Sequence, residues 1–399
     1  MTESSTAAPD AEFRGPSVLQ VLPALVTGGV ERSAVDVAVA LAQAGLGSVV
    51  ASAGGPMTRE IERAGVPHIA MPLDSKNPLV MRRNATLLAD VIEGHGIDIV
   101  HARSRAPAWS ARAAARRTGR AFVTTFHGVY SGYRGPKRWY NAVMTRADRV
   151  IANSAYIADH IAQHYRPDGA RVRIVPRGID VDRFSAAAVS PERVIQLARQ
   201  WRLPDDQLIV MLPGRLTRWK GQAVLIEALA RLDRRNLRCL LVGSDQGRDA
   251  YRRELVDTVH RWGLDSVVQI TGHCDDMPAA YMLADVVVSA STDPEAFGRV
   301  AVEAQAMGRP VIATDHGGAR ETVLPGSTGW LVPPGDPAAL AEALENALSL
   351  DAAARAAMAE RAVGHVGANF TKAGMCARTL SIYDELHRTH AAPGVSGPA

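Results

Sequence analysis

Apolar residues along this chain come in short runs, and stretches with a helical repeat separate them. "SVLQVLPAL" reads as a strand, and after "VTGG" an apolar-periodic stretch from Val30 to Ala44 reads as a helix. "SVVAS", "HIAMPL", "DIVHA", "AFVTTFH", "RVIANS" and "VRIVPRG" then recur as strand candidates between helical patterns. A fresh series starts near Leu208 with "LIVMLPG", "LRCLLVG", "VVQITG", "DVVVSAS" and "RPVIATD". Alternation of this kind predicts βαβ units and a mainly parallel sheet. Two such series predict an α/β chain of two Rossmann-like domains, over residues 16–185 and 208–365. The joining stretch 186–207 holds two prolines and no strand candidate, so it is expected to be a hinge or linker. After Pro337 the chain is Ala-rich and helical to about His390; its segment 366–390 is expected to pack back toward the first domain. The closing "AAPGVSGPA" is expected to fray.

A length of 399 residues agrees with two cores rather than one. With 47% apolar and 22% charged residues, the composition is that of an ordinary soluble globular protein. No apolar run approaches the length of a membrane-spanning helix, and "MTESSTAAPDAEFRG" lacks the layout of a secretory signal. Three scattered cysteines show no metal spacing or disulfide framework, which fits a reducing cytoplasm. The formal charge of +4 hides an asymmetry: residues 101–183 carry 16 Lys and Arg against 5 Asp and Glu. Such a block suits an anionic partner, whether nucleic acid, acidic lipid headgroups or a phosphorylated substrate. An Arg-rich solvated surface accounts for it equally.

Three stretches carry candidate chemistry. In "GGVER", Gly28 and Gly29 follow the first strand and open a helix, so backbone amides can approach an anionic ligand. A tight strand–helix turn without a ligand is the plainer account, and the dinucleotide pattern G-x-G-x-x-G is absent. In "GRLTRWKG", Arg215 and Lys220 flank a loop at the carboxyl end of a strand, where open α/β sheets bind ligands. Two solvated cations at a helix start would look the same. In "DVVVSASTDPEAFGRVAVEAQAMG", Glu295 falls on a loop over a strand end, and Glu303 lies about one turn into the next helix. The amides of Gly298, Arg299 and Val300 are left free by that helix start. Glu303 also reads as a surface glutamate favoured by the helix dipole, although its neighbours are apolar or small.

The ordered set "GGVER", "FHG", "GRLTRWKG" and Glu295 with Glu303, together with Asn153 and "GSTGWLVPPGD", resembles the retaining glycosyltransferases of family 4 from about Val18 to Leu386. The resemblance implies the GT-B fold, two Rossmann-like domains facing across a cleft. It implies a nucleoside-diphosphate sugar donor, of UDP or GDP type, held by the second domain, and an acceptor hydroxyl held by the first. Arg215 and Lys220 would contact the donor diphosphate with the amides of Gly298, Arg299 and Val300. Glu303 would hold the ribose and Glu295 the transferred sugar, with His127 opposite. Gly28 and Gly29 would approach the donor or acceptor, and Gly243 and Gly272 would flank the base. No metal and no further cofactor is implied. Arg177, where the family often has Asn, and "VGSDQGRD", without the usual Gly-x-Gly, depart from the pattern. Relatives of this kind often act on lipid-linked or envelope-polysaccharide acceptors, including lipopolysaccharide, at the inner face of the membrane.

The basic block fits that setting. Arg112, Arg116 and Arg117 share helical spacing, and "YSGYRGPKRWYNAVM" interleaves rings with cations as a headgroup interface does. A cytoplasmic protein attached peripherally to an anionic surface is therefore expected, with no nucleic-acid partner. Rival readings are a sugar-nucleotide epimerase of the same fold, a glycoside hydrolase using the two carboxylates, and a non-catalytic binding protein. A hydrolase has no need of Arg215 and Lys220 beside a helix start.

Overall fold

The computed structural model describes residues 15–391, apart from residues 27, 131, 133, 233 and 235. The tail expected to fray therefore lies outside the described residues from position 392 on, as do two positions of the aromatic and basic stretch. The chain gathers into two compact units. One holds the described residues up to Ala152, Ile161–Arg173 and those from Cys376 onward; the other holds Asn153–His160 and Ile174–Met375.

The first unit is built on strands β1 (Val18–Val21), β2 (Ser48–Ser52), β3 (His68–Ala70), β4 (Ile99–Ala102), β5 (Ala121–Phe126), β6 (Arg149–Ala152) and β7 (Val172–Ile174). They form one sheet in the order β3-β2-β1-β4-β5-β6-β7. The pairings from β3 across to β6 are parallel, for example Leu19 beside Val49 on one side and Val100 on the other. Every residue of β1, β4 and β5 is buried, as expected of strands covered on both faces by helices. The helix Gly29–Gln43 lays Ala34, Val35 and Ala38 against Leu22, Leu25, Val50 and Ile61.

The second unit holds β8 (Leu208–Pro213), β9 (Leu237–Val242), β10 (Val268–Gly272), β11 (Val286–Ser289), β12 (Val311–Thr314) and β13 (Gly329–Val332). Their order is β10-β9-β8-β11-β12-β13. The period of two along each strand decides which core each side chain enters. Val210, Leu212, Cys239, Leu241, Val286 and Val288 pack on one side with Leu225, Ile226, Leu229, Leu255, Leu340 and Leu344. Ile209, Met211, Leu240, Val242 and Val287 pack on the other with Tyr281, Ala301, Val302 and Val366. Each of these Val, Leu, Ile and Met side chains stabilises the fold by about 1.5–3 kcal/mol relative to exposure. Together they fix the strand ends that carry the candidate site.

The change-over between units at Arg173 and Ile174 precedes the linker expected at 186–207. That stretch carries a helix, Pro191–Gln200, whose Leu197 packs with Val189 and Trp201 in the second unit's core. Pro191 sits in the first turn, where a missing N–H costs nothing, so the proline starts a helix there. The second domain's expected end at 365 and the segment 366–390 also divide differently. Val366 and Phe370 remain in the second unit's core, and the long helix Lys372–Ala391 joins the first unit from Cys376 onward. There the Tyr383 hydroxyl lies 2.5 Å from His101 Nδ1, and Glu385 accepts from Arg149 at 2.6 Å and from Arg173 at 3.0 Å. No described helix is long and apolar enough to cross a membrane.

Candidate functional site

In the second sheet, chain direction along the strand order reverses between β8 and β11, and an open α/β sheet leaves a crevice at such a point beyond its carboxyl ends. The loops leaving these two strands are sewn together. The Thr292 amide donates to the Trp219 carbonyl at 2.7 Å, and Gly221, with φ 72°, backs onto the next turn. A Cβ at Gly221 would stand 1.8 Å from the Ala290 carbonyl oxygen, so only glycine allows this approach. The stitching brings together two residues that are distant in sequence. Lys220 Nζ donates to Glu295 Oε1 at 2.6 Å, with the side chains only 12% and 16% exposed.

Glu295 is held from several sides. Ser291 Oγ donates to the same Oε1 at 2.5 Å. Burial is the largest influence on the carboxyl and acts to raise its pKa. Lys220, the Ser291 hydroxyl and nearby His316 outweigh it and hold the group below the ordinary 4.5. Glu295 is thus a fixed carboxylate near neutral pH: it accepts hydrogen bonds and has no proton to give. A hydrolase pairs a protonated acid with an ionised carboxylate, and Glu295 matches only the ionised member.

Glu303 lies on the helix Arg299–Ala306, which Gly298 opens with φ 84°. It is not on a solvated face: it is 8% exposed. Its Oε1 accepts from Arg299 Nη2 at 2.8 Å, and its Oε2 accepts from the Tyr281 hydroxyl at 2.9 Å. Burial first, and then Glu303, push the Tyr281 phenol well above its usual range, so it remains a donor. The amides of Arg299 and Val300 fall in the first turn, where the helix itself offers no acceptor.

The other expected residues spread more widely. Arg215 is exposed, without a side-chain hydrogen bond or ion pair among the described residues; its carbonyl accepts from Gln222 Nε2 at 3.0 Å. Gly243 leaves β9 where a Cβ would lie 2.0 Å from the Gly214 carbonyl oxygen, so the loops after β8 and β9 also touch. Gly272 closes β10 with φ 81° beside a register shift. Gly28, Gly29 and His127 belong to the first unit. The two glycines open the helix after β1, and His127 directly follows β5. Arg177 is buried. Among the described residues, no group of three or more His, Cys, Asp or Glu is arranged to hold a metal ion.

Sequence reasoning missed Ser291, His316 and Tyr281. Ser291 and His316 stand at the carboxyl ends of β11 and β12, and the Gly pair after His316 was the available signal. Tyr281 is buried on another helix, and nothing local links it to Glu303.

Comparisons with known proteins agree with this architecture. The sequence model of the glycosyl transferases group 1 matches residues 195–364, and that of Glycosyltransferase Family 4 matches residues 27–183. A glycosyltransferase crystal structure from Rickettsia africae superposes with a TM-score of 0.88 at 37% identity, covering 94% of this chain and 99% of its own. Anabaena HepE, solved in complex with UDP-glucose, gives a TM-score of 0.79 at 26% identity over 92% of this chain and 99% of its own. A D-inositol 3-phosphate glycosyltransferase of Corynebacterium kroppenstedtii is 33% identical over 253 residues, 62% of this chain. The match spans about half of that relative, 55% of its length. The chain belongs to the GT-B glycosyltransferases, with a family 4 first half and a group 1 second half.

Proposed function

We propose that this chain transfers a glycosyl group, of hexosyl type, from a nucleoside-diphosphate sugar to an acceptor hydroxyl with retention at the anomeric carbon. The half-buried Lys220–Glu295 pair at the switch point between β8 and β11 carries the reading. A cation and a fixed carboxylate side by side match a ligand with an anionic diphosphate next to a polyhydroxylated ring. Lys220 and Arg215, with the amides at Gly298, Arg299 and Val300, face the diphosphate; Glu295 accepts from sugar hydroxyls and Glu303 from the ribose. Gly243 and Gly272 flank the base. The HepE complex with UDP-glucose supports a uridine donor.

In the reaction the bond from the anomeric carbon to the diphosphate oxygen breaks. The acceptor oxygen bonds to the same face of that carbon, and its proton passes to the departing phosphate. Preorganised positive charge stabilises the leaving group, so no metal is required. The acceptor is anionic, in keeping with the basic excess over residues 101–183. The reading favoured here is a lipid-linked envelope glycan, of lipopolysaccharide or related type, at the inner membrane face. Trp139 supports it: the residue is 57% exposed on the short helix that also carries Lys137 and Arg138. The C. kroppenstedtii relative, by its name, supports a soluble phosphorylated polyol instead.

The test is release of nucleoside diphosphate from UDP- and GDP-sugars with and without two acceptor sets, inositol phosphates and extracted lipid-linked glycans. Release that depends on an acceptor supports transfer. Conversion of the donor to its epimer without release would establish the epimerase, and no turnover with any donor would leave a binding protein.

A further inference from the structure

We propose that His316 and Ser291 are positioning residues for the donor sugar: they lock one oxygen of Glu295 and leave the other to the sugar. The inference rests on the reading of Glu295 as the sugar-holding carboxylate. Both donors to Glu295, Lys220 Nζ at 2.6 Å and Ser291 Oγ at 2.5 Å, converge on Oε1. Its Oε2 has no hydrogen-bond partner among the described residues. A carboxylate fixed at one oxygen and open at the other is set to accept from a ligand hydroxyl.

Ser291 is held in turn. It is 1% exposed, and its carbonyl accepts from His316 Nε2 and from Thr314 Oγ1, each at 2.8 Å. A carbonyl oxygen can only accept, so Nε2 of His316 carries the hydrogen. His316 itself is fixed by the 2.8 Å bond from its amide to the Thr314 carbonyl. The two glycines that follow grip the far end of the same loop. The Gly318 amide donates to the Glu295 carbonyl at 2.8 Å. A Cβ on Gly317, whose φ is 59°, would lie 2.4 Å from that oxygen, and one on Gly318 would lie 2.5 Å from Phe297 Cα. The turn His316–Gly318 thus clasps the Glu295 loop at both ends: its imidazole holds Ser291, and its glycines hold Glu295 and Phe297. The sequence places this turn directly after β12, the strand beside β11.

The roles separate by ligand. A bare nucleoside diphosphate has no sugar for Glu295 to hold, whereas the full nucleotide sugar does. Binding of UDP and GDP is therefore compared with binding of UDP-glucose, UDP-N-acetylglucosamine and GDP-mannose by calorimetry. The proteins are wild type, Ser291→Ala, His316→Phe and His316→Gln, with melting temperature as a check on folding. Ser291→Ala and His316→Phe are expected to weaken the preferred nucleotide sugar about ten- to a hundred-fold, the effect of losing a hydrogen bond to or behind a charged group. Binding of the matching bare diphosphate is expected to stay within about two-fold, since neither Ser291 nor His316 bonds to Lys220 or Arg215. His316→Gln keeps an N–H donor and is expected to restore most of the loss. Equal weakening of diphosphate and sugar nucleotide, no weakening of either, or no recovery with Gln would overturn the inference. Wild-type protein that binds none of the nucleotides would overturn the functional reading, and this inference with it.

Discussion

Lys220→Met removes a cation and keeps most of its aliphatic volume. At 2.6 Å the Lys220–Glu295 attraction is about 6 kcal/mol in an effective dielectric of about 20, before the cost of burying both charges is subtracted. Removing one partner of such a pair costs about 3–5 kcal/mol, because the other charge stays buried without its counter-ion. For a unit of this size a 3 kcal/mol loss lowers the melting temperature by roughly 6–12 °C. The double variant Lys220→Met/Glu295→Gln buries no charge here and is expected to lie within about 1 kcal/mol of wild type. The pH dependence adds a second mark. In wild type the carboxyl titrates below 4.5, so the stabilisation is intact above that value and fades as pH falls through the depressed one. In Lys220→Met only the Ser291 hydroxyl and His316 are left to oppose burial, and the carboxyl pKa rises. The penalty is then greatest near neutrality and shrinks as the pH is lowered toward about 5. Turnover in the single variant is expected to drop about a hundred- to a thousand-fold through loss of charge stabilisation at the diphosphate. Thermal melts from pH 5 to 8 and initial rates provide the readout. A single variant that melts with wild type at pH 7.5, or a double variant as unstable as the single, would refute the reasoning.

Gly221→Ala forces a left-handed residue and a 1.8 Å contact with a backbone oxygen, and is expected to cost about 2–4 kcal/mol together with nucleotide binding. Gly263→Ala, also left-handed at φ 64° but with open space around it, is its control at about 1 kcal/mol, both read by thermal melting. EDTA is expected to leave initial rates intact; loss restored only by Mn²⁺ or Mg²⁺ would mean that a metal, and not the Lys220 and Arg215 charges, faces the diphosphate. In vesicle flotation at low salt the protein is expected to rise with anionic but not neutral vesicles, and Trp139→Ala to weaken this. Equal behaviour on both vesicle types would refute the membrane setting.

Twelve strands were legible as short apolar runs; most are buried on both faces, and the edge strands His68–Ala70 and Val172–Ile174, only partly buried, still keep apolar residues. The thirteenth, Gly329–Val332, was hidden: "GWLV" begins with glycine and its middle residues are only partly buried. Pro191 misled because proline punctuates linkers and helix starts alike. At the candidate site, spacing and resemblance singled out Glu295, Glu303 and Lys220, but not which side chains pair with which. Lys220 meets Glu295 across 75 positions, and Tyr281 meets Glu303 across 22, through a sheet order that local sequence does not encode. His316 illustrates the limit best, since its imidazole acts on a backbone carbonyl, and any residue offers one of those.

The return of the chain to its first unit bears on how the protein is made. A ribosome releases Arg173 roughly 200 residues before Cys376, an interval of about 10–40 s at ordinary elongation rates. During that time the fully buried His101 lacks the Tyr383 hydroxyl, and Arg149 and Arg173 lack Glu385. Nascent chains therefore hold an unsealed sheet while the second unit emerges and condenses. The last helix closes the structure begun first, and a stalled or clipped product loses its earlier half's final seal while keeping an intact later half.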